Sequence, residues 1–165
     1  MKLPICELCA STNVLCSGCS ERLATGRLTQ LDVDASRLLH RLAADHPLDN
    51  IELKRALDLG KVVLLLVRGD IGALIGREGR VVNEISKGLG RKVRIAEDAG
   101  DLKKTLADII APARLLGINQ VFRKEGNLFR VRIPKTDLPA LPVPLSVLEK
   151  ALVSLFSAPA EIAFE

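Results

Sequence analysis

Aromatic side chains are scarce in this sequence. Among 165 residues there are four phenylalanines and neither tryptophan nor tyrosine, so aromatics make up 2% of the chain. RNA-binding modules such as the RRM and many OB folds stack bases on aromatic side chains. The composition therefore argues against those modules, and a grip on nucleic acid has to come from backbone, basic and aliphatic groups.

Long apolar runs and a secretory leader are also missing. The longest aliphatic run is VVLLLV at 62–67, which suits a buried strand and is far shorter than the roughly 20 residues that cross a bilayer. The N-terminal stretch MKLPICELC has no apolar signal region, which favours a cytoplasmic location with no membrane partner. Hydrophobic residues at 48% and charged residues at 27% predict a packed protein of one ordinary or two small domains.

Motifs of catalysis are missing too. The sequence contains no Walker A loop, nucleophile elbow or paired-carboxylate signature. His40 and His46 have no partner signal and are predicted to be surface or loop residues. We therefore expect a protein that is not an enzyme, with a thiol redox protein as the least favoured alternative.

The four cysteines all lie near the start of the chain. Cys6 and Cys9 form one Cys-x-x-Cys pair, and Cys16 and Cys19 form a second after six intervening residues. A two-residue spacer returns both sulfurs to the same side of a tight turn, so the two pairs can enclose one tetrahedral ion, and four thiolates suit structural zinc. We predict one structural Zn²⁺ that folds this segment and supplies no chemistry.

Other interpretations of the cysteines are weaker. Disulfides need an oxidising compartment, of which the sequence gives no sign. A catalytic dithiol is usually a single Cys-x-x-Cys that opens a helix after a strand, and no strand is predicted before Cys6. An iron–sulfur cluster stays open, although the spacing differs from the compact ferredoxin pattern.

Apolar periodicity predicts the order helix, strand, strand, helix, helix, strand after the cysteines. Asp32 and Asp34 are predicted to be capping residues at the start of the first of these helices, with Asp32 as the better N-cap candidate. The predicted segments are a helix at 31–47, strands at 51–60 and 61–69, a short helix at 70–76, a helix at 80–90 and a strand at 91–98.

The same order is predicted a second time, which indicates a repeated supersecondary unit. Its segments are a helix at 101–117, whose apolar stripe from Leu102 to Ile110 is predicted to be core, strands at 117–123 and 127–133, a helix at 144–156 and a strand at 160–165. Where the first copy has IGREGR at 75–80, the second has IPKTDLPALPVP at 133–144, with prolines in place of glycines. The predicted domains are a cysteine knuckle at 1–27 and two units at 28–98 and 99–165.

The glycine pair in IGREGR indicates a backbone that comes close to a ligand. Gly76 and Gly79 lack Cβ, so a phosphate-bearing strand can approach the main chain. The amides of residues 79–81 are predicted to face an anion at the start of the next helix. Arg77 extends from the loop towards such an anion, and Glu78 opposes it.

Positive charge is concentrated around the same loop. Residues 76–94 carry six basic and two acidic side chains, and residues 123–135 carry five basic and one acidic. These two patches are expected to form a path for an extended nucleic-acid strand. The further candidate contacts are Arg80, Lys87, Arg91, Lys92 and Arg94 in the first copy and Arg130 and Arg132 in the second.

The stretch ALIGREGRVVNEISKGLGRKVRIAED at 73–98 resembles the core of a KH domain, whose GXXG loop clamps nucleic-acid backbone. The predicted element order is that of the type II arrangement. Two such units, with GXXG in the first, resemble the tandem KH region of archaeal NusA-like transcription factors over 31–165. The resemblance implies an α+β fold of two tandem αββααβ KH type II units, here preceded by a small zinc knuckle of four cysteines.

This resemblance also implies a function. Single-stranded RNA would lie between residues 76–79 and an apolar groove, with Ile71, Leu74, Ile75, Val82 and Ile85 as groove or core residues. The second unit has no GXXG and would contribute basic strand residues to the RNA contact.

The expected role is transcription elongation or termination with RNA polymerase as a partner. One alternative is a ribosome-associated or ribosome-assembly factor on the small subunit. Another is a zinc-folded protein-interaction adaptor that has lost RNA.

Overall fold

The chain divides into two compact units, Met1–Glu97 and Asp98–Glu165. The structure is a computed structural model that describes residues 1–98, 100–156 and 158–165. Each unit contains one three-stranded sheet together with helices, which confirms the α+β class. The cysteine segment lies inside the first unit, and the three-part division at 1–27, 28–98 and 99–165 stays a prediction.

The helices and strands are numbered in chain order within the described residues. The α-helices are α1 (Glu7–Ser11), α2 (Ser17–Ala24), α3 (Gln30–Leu42), α4 (Ile71–Ile75), α5 (Arg80–Leu89), α6 (Leu102–Ile110) and α7 (Leu145–Phe156). The strands are β1 (Ile51–Asp58), β2 (Val62–Gly69), β3 (Lys92–Glu97), β4 (Gly117–Arg123), β5 (Gly126–Ile133) and β6 (Ala160–Phe164). Two 3₁₀ segments cover Arg77–Gly79 and Lys135–Ala140.

Both sheets have the same topology. In the first, β1 and β2 are antiparallel and β3 runs parallel to β2. In the second, β4 and β5 are antiparallel and β6 runs parallel to β5. A parallel neighbour requires a crossover connection, which α4 and α5 supply in the first unit. The sheets therefore support the repeat seen in the sequence.

The core of the first unit lies between β2 and the helices. Residues 63–67 of β2 are all buried, as expected for a run without polar side chains. The buried members of the main cluster are Ala35, Leu38, Leu39, Leu48, Ile51, Leu53, Ala56, Val63, Leu65, Val67, Leu74, Val81, Ile85 and Val93.

Among the described residues, no helix has both the length and the apolar character needed to cross a bilayer.

Helix α3 begins one turn earlier than its predicted cap. Thr29 is the N-cap, and its hydroxyl accepts the Asp32 amide at 3.1 Å while Asp32 Oδ2 accepts the Thr29 amide at 2.9 Å. The prediction of Asp32 as N-cap is therefore wrong. The other oxygen of this buried carboxylate accepts the Ala56 amide at 2.7 Å, so Asp32 ties α3 to β1.

The second unit departs from the predicted order at one element. The segment Lys135–Ala140 is a 3₁₀ helix in place of the first of the two expected helices. Pro134 and Pro139 lie in or beside this segment, and proline lacks the N–H that a continuing α-helix needs. Helix α6 likewise ends at Ile110, before the Ala111–Pro112 bond. Of the predicted core stripe, Leu106, Ile109 and Ile110 are buried, but the prediction is wrong for Leu102, which is 40% exposed.

Candidate nucleic-acid interface and metal centre

The glycine loop, residues 76–79, joins α4 to α5. Helix α4 starts where Asp70 Oδ1 accepts the Ala73 amide at 3.1 Å and ends at Ile75. Gly76 then adopts φ 76° and ψ 172°, a region essentially restricted to glycine. Glu78 also has a positive φ of 57° at the tip of the loop. The chain therefore makes a tight, exposed turn between two helices.

The two glycines of the loop have different surroundings. A Cβ on Gly76 would lie 2.5 Å from Val81 Cγ2 and 2.8 Å from the Val81 nitrogen, so this glycine lets the loop pack on the start of α5. A Cβ on Gly79 would meet nothing closer than Val82 Cγ1 at 3.7 Å. Of the two glycines, Gly79 leaves open space on its Cβ side, whereas Val81 fills that side of Gly76. The approach of a ligand to the main chain at both glycines stays a prediction.

The backbone amides of the loop are partly used within it. The Gly79 amide donates to the Gly76 carbonyl at 3.2 Å, and the Arg80 amide donates to the Arg77 carbonyl. The expectation that the amides of residues 79–81 are open to an anion is therefore wrong for Gly79 and Arg80. Attraction for an anion comes instead from the dipole at the start of α5 and from the basic side chains around it.

Two arginines of the loop region are available for such an anion. Arg77 is exposed at the tip. The Arg80 side chain is 80% exposed, and its Nε lies 4.0 Å from Glu84 Oε1. Glu84 is held more closely by His46, whose Nε2 lies 3.0 Å from Glu84 Oε2. Both arginines thus present their charge to solvent beside Glu78, which is exposed as well.

The predicted groove residues divide into core and surface. Leu74 and Ile85 are fully buried, whereas Ile75 is 41% exposed. Ile71 and Val82 are half-buried. Ile75, Ile71 and Val82 therefore offer apolar surface beside the loop, and Leu74 and Ile85 belong to the core.

The remaining basic candidates of the first unit differ in their availability. Lys87 on α5 and Lys92 at the start of β3 are exposed, and Arg94 is half-buried. Arg91 Nη1 lies 2.7 Å from Asp58 Oδ1 and donates to the Gly60 carbonyl at 3.0 Å. Arg91 is thus already engaged in holding the end of α5 to the β1–β2 turn.

That contact also affects the pKa of Asp58. Burial acts to raise the pKa of this carboxyl, but hydrogen bonds from the Gly60 amide and the Arg91 guanidinium outweigh burial and lower it. Asp58 is therefore held as a carboxylate opposite Arg91.

In the second unit both predicted arginines face acidic partners. Arg130 Nε lies 2.7 Å from Glu161 Oε1, and Arg132 Nη1 lies 3.4 Å from Glu165 Oε2. Arg130 and Glu161 are directly opposed across β5 and β6. Because each charge is matched, these two strands carry less free positive charge than the sequence count indicates.

One exposed aromatic was missed by the sequence interpretation. Phe122, near the end of β4, is 76% exposed, and Arg123 and Lys124 follow it at the exposed β4–β5 turn. A signal was present, because a phenylalanine next to two basic residues at a predicted hairpin suits a nucleic-acid contact.

The cysteine cluster, made of Cys6, Cys9, Cys16 and Cys19, brings four sulfur atoms within 4.8 Å of one another. Cys6 precedes α1 and Cys16 precedes α2 with nearly the same extended backbone, and the second cysteine of each pair lies in the first turn that follows. None of the four forms a disulfide. The two Cys-x-x-Cys pairs therefore converge as their spacing predicts.

The geometry of the cluster fits a four-thiolate metal site. A tetrahedral ion with metal–sulfur bonds of about 2.3 Å separates its sulfurs by about 3.8 Å. Cys6 Sγ lies 3.2 Å from Cys9 Sγ and 3.9 Å from Cys16 Sγ. The Cys16 amide donates to Cys9 Sγ at 3.1 Å, and the Cys19 amide donates to Cys16 Sγ at 3.4 Å. The four cysteines could bind a metal ion after small adjustments.

These contacts shift the pKa values of Cys16 and Cys9 in opposite directions. The Cys19 amide, together with the neighbouring thiols, lowers the pKa of Cys16 to about 7. The Cys16 amide favours the Cys9 thiolate, but burial and hydrogen bonds with the other three sulfurs prevail and raise the pKa of Cys9 to about 12. Adjacent thiolates repel one another, and a bound cation removes that repulsion.

The cysteine segment is anchored to α3. Cys9 and Cys19 are buried in a small apolar cluster with Ile5, Ala10, Leu28 and Val33. Arg37 on α3 donates through Nε to the Cys9 carbonyl at 3.1 Å. A change at the cysteines is therefore expected to reach the rest of the first unit through α3.

Comparisons with known proteins support part of this picture. No family model matches the chain. Over 55 residues, the chain is 38% identical to a probable transcription termination protein NusA from Methanococcus vannielii, a match that spans 33% of this chain and 32% of that protein's length. The solved crystal structure of the protein APE1850 superposes with a TM-score of 0.56 at 19% identity, covering 76% of this chain and 96% of that one. The first match covers about a third of each protein, and the second, at 19% identity, concerns the fold alone.

Proposed function

We propose that this protein binds single-stranded RNA through a KH type II fold in its first unit and acts as a NusA-like factor in transcription elongation or termination. The observation that carries the proposal is the glycine loop between α4 and α5, with the exposed side chains of Arg77 and Arg80 beside it. The partial similarity to the Methanococcus protein supports the assignment to transcription. RNA polymerase is the proposed partner, and the role is binding rather than catalysis.

The proposed grip combines charge and shape. An RNA phosphate would approach the main chain at Gly79, where no side chain stands in the way, and be attracted by Arg77, Arg80 and the start of α5. The partly exposed side chain of Ile75 offers an apolar surface for an unstacked base. Glu78 weakens the attraction, so this loop would hold RNA less tightly than one with two basic residues.

The exposed lysines of the first unit would extend this contact. Lys87 on α5 and Lys92 on β3 are both open to solvent, and each would add attraction for the RNA backbone without specifying sequence. Arg94 is part of the same proposed surface. Arg91 would contribute mainly by holding the end of α5 in place, since it is paired with Asp58.

For the cysteine cluster we propose one structural zinc ion held by Cys6, Cys9, Cys16 and Cys19. The convergence of four sulfurs, with two amides donating to them, supports a closed site. A bound ion would stabilise α1 and α2 against α3, and so support the unit that carries the glycine loop.

The proposal is tested by measuring RNA affinity at several salt concentrations. Fluorescence anisotropy with a labelled single-stranded RNA compares the wild type with the double variant Arg77→Asp/Glu78→Asp. This variant leaves both glycines in place, and aspartate tolerates the positive φ at position 78 better than most residues. We expect at least about tenfold weaker binding at low salt and a shallower salt dependence, because phosphate contacts are lost.

The matched control is Arg27→Asp, which changes the net charge by the same amount at an exposed position outside the loop. If both variants weaken binding equally, total charge rather than the loop is responsible. If the wild type shows no salt-dependent RNA binding, the proposed function is wrong.

A second candidate function is a zinc-folded adaptor that binds another protein. Leu8 and Val14 on the cysteine segment are 65% and 73% exposed, and exposed apolar side chains of this kind occur in protein interfaces. The absence of RNA binding by the wild type would favour this function. A pull-down that recovers small ribosomal subunits rather than RNA polymerase would favour a ribosomal role instead.

A further inference from the structure

Phe122 stands apart from the other phenylalanines of the second unit. Phe129 on β5 and Phe156 on α7 stack on each other, with ring centroids 4.4 Å apart and planes inclined by 6°. Phe164 on β6 is half-buried. Phe122 is 76% exposed, so it contributes little to the core of this unit.

The register of the hairpin explains this exposure. Phe122 is paired with Asn127 next to the turn, and the pair Gln120–Phe129 precedes it along the ladder. Alternation along a strand therefore places Phe122 on the same face as Phe129 and its core partners. Gln120 and Asn127 are exposed, however, so the core does not extend as far as Phe122.

The charges beside Phe122 differ from those on the strands. Arg123 and Lys124 follow it directly and are exposed, with Glu125 as the nearest acidic neighbour in sequence. Arg130 and Arg132, by contrast, lie opposite Glu161 and Glu165. The hairpin tip, made of Phe122, Arg123 and Lys124, therefore combines an exposed aromatic ring with two basic side chains.

We propose that this hairpin tip is a second contact for single-stranded RNA, in which a base stacks on Phe122 and the adjacent phosphates face Arg123 and Lys124. The inference rests on the proposed function and identifies the part of the second unit that takes part in it. Base–aromatic stacking tolerates any sequence, since every base has a flat face. The second unit has no GXXG between β5 and α7, so its contact would be of a different kind.

The combination favours RNA over a protein partner. A protein-docking surface needs a contiguous apolar patch, usually with charged residues depleted at its centre. Here a single ring is flanked by two cations, an arrangement that suits a base and its phosphates.

The sequence itself offers a direct test, because it has neither tryptophan nor tyrosine. Phe122→Trp introduces a single tryptophan whose fluorescence is measured during titration with single-stranded RNA. We expect quenching on binding. The control is Leu116→Trp, at a 48% exposed site just before β4 and so at the opposite end of the same strand; its fluorescence is expected to stay unchanged.

Affinity provides the second readout. Phe122→Ala is expected to weaken RNA binding about fivefold or more, the loss that follows from removing one stacked base. Arg123→Ala/Lys124→Ala is expected to reduce the slope of log affinity against log salt by an amount that corresponds to about one to two phosphate contacts. Thermal melts check that each full-length variant is folded, which we expect because all three side chains are exposed.

The outcomes separate this inference from the proposed function. The loop proposal stands if wild-type protein binds RNA and the Arg77→Asp/Glu78→Asp variant does not. In that case the hairpin inference is wrong if Phe122→Ala binds RNA normally and the fluorescence of Phe122→Trp is not quenched. Equal quenching at positions 116 and 122 also overturns the inference. If wild-type protein binds no RNA, both proposals are wrong.

Discussion

Gly76 packs directly on Val81: a Cβ built at position 76 would lie 2.5 Å from Val81 Cγ2. The backbone of Gly76, with φ 76° and ψ 172°, is also one that other residues rarely adopt. The first glycine of the loop is thus required by the fold of the first unit, whatever the loop binds.

Replacing Gly76 should therefore affect stability more than replacing Gly79. We expect Gly76→Ala to lower the free energy of unfolding by about 2 kcal/mol or more, from overpacking and backbone strain together. Gly79→Ala should lower it by about 1 kcal/mol, since it meets strain but no clash. Urea denaturation of both variants measures the difference. Equal losses would mean that the contact with Val81 contributes nothing.

Substitution of Arg80 should mainly change RNA affinity, whereas substitution of Arg91 should mainly change stability. Arg80 is 80% exposed near Glu84, whereas Arg91 is tied to Asp58 at 2.7 Å. We expect Arg80→Ala to reduce the slope of log affinity against log salt by about 0.7 with little change in stability. Arg91→Ala should lower stability by about 0.5–1 kcal/mol, as a half-exposed ion pair does.

The two variants have the same change of charge, so each is the control for the other. Salt titrations and urea denaturation are done on both. A larger loss of the salt slope in Arg91→Ala than in Arg80→Ala would contradict the assignment.

Local signals in the sequence predicted most elements of the first unit. The apolar run 62–67 is the buried strand β2, and the turn at Gly60 joins it to β1. Gly90 ends α5 with a positive φ of 70°, as a C-terminal glycine is expected to do. The cysteine spacing also predicted the convergence of four sulfurs. Each of these features depends on residues close together in the chain.

Contacts between distant residues could not be predicted in the same way. The pairing of Arg91 with Asp58, and of Arg130 with Glu161, depends on which strands and turns lie side by side. A count of basic residues therefore overestimated the free charge. The error at Asp32 was different, because Thr29 three residues earlier is a capping signal in the sequence itself.

Metal removal should destabilise the first unit. If Cys6, Cys9, Cys16 and Cys19 hold a zinc ion, a strong chelator should lower the melting temperature by about 10 °C, since the binding free energy contributes to folding. Elemental analysis should find one metal ion per chain. Cys9→Ser is the matched variant: it should bind less metal and respond little to the chelator. A stable, metal-free wild type with four titratable thiols would contradict the zinc proposal.

Acid should destabilise the second unit through Asp137. Arg114 donates to this carboxylate from Nε at 2.9 Å, from Nη2 at 3.0 Å and from its backbone amide at 2.8 Å. These bonds, led by those from the guanidinium, hold the pKa of Asp137 well below its usual range. Because the pKa is lowered on folding, the stabilisation is present above the unfolded value of about 3.9 and is lost as pH falls below it.

The substitution Asp137→Asn should make this dependence visible. We expect the variant to melt several degrees lower than the wild type at pH 7 and to differ less from it near pH 2, where the carboxyl is protonated in the unfolded chain and much of the stabilisation from its lowered folded pKa is lost. Glu125→Gln removes a carboxylate at an exposed turn of the same unit and should follow the wild type throughout. The test is a set of melting curves recorded by circular dichroism between pH 2 and 7. A constant difference in melting temperature between Asp137→Asn and the wild type across this range would mean that Asp137 stabilises the unit by packing and not by its charge.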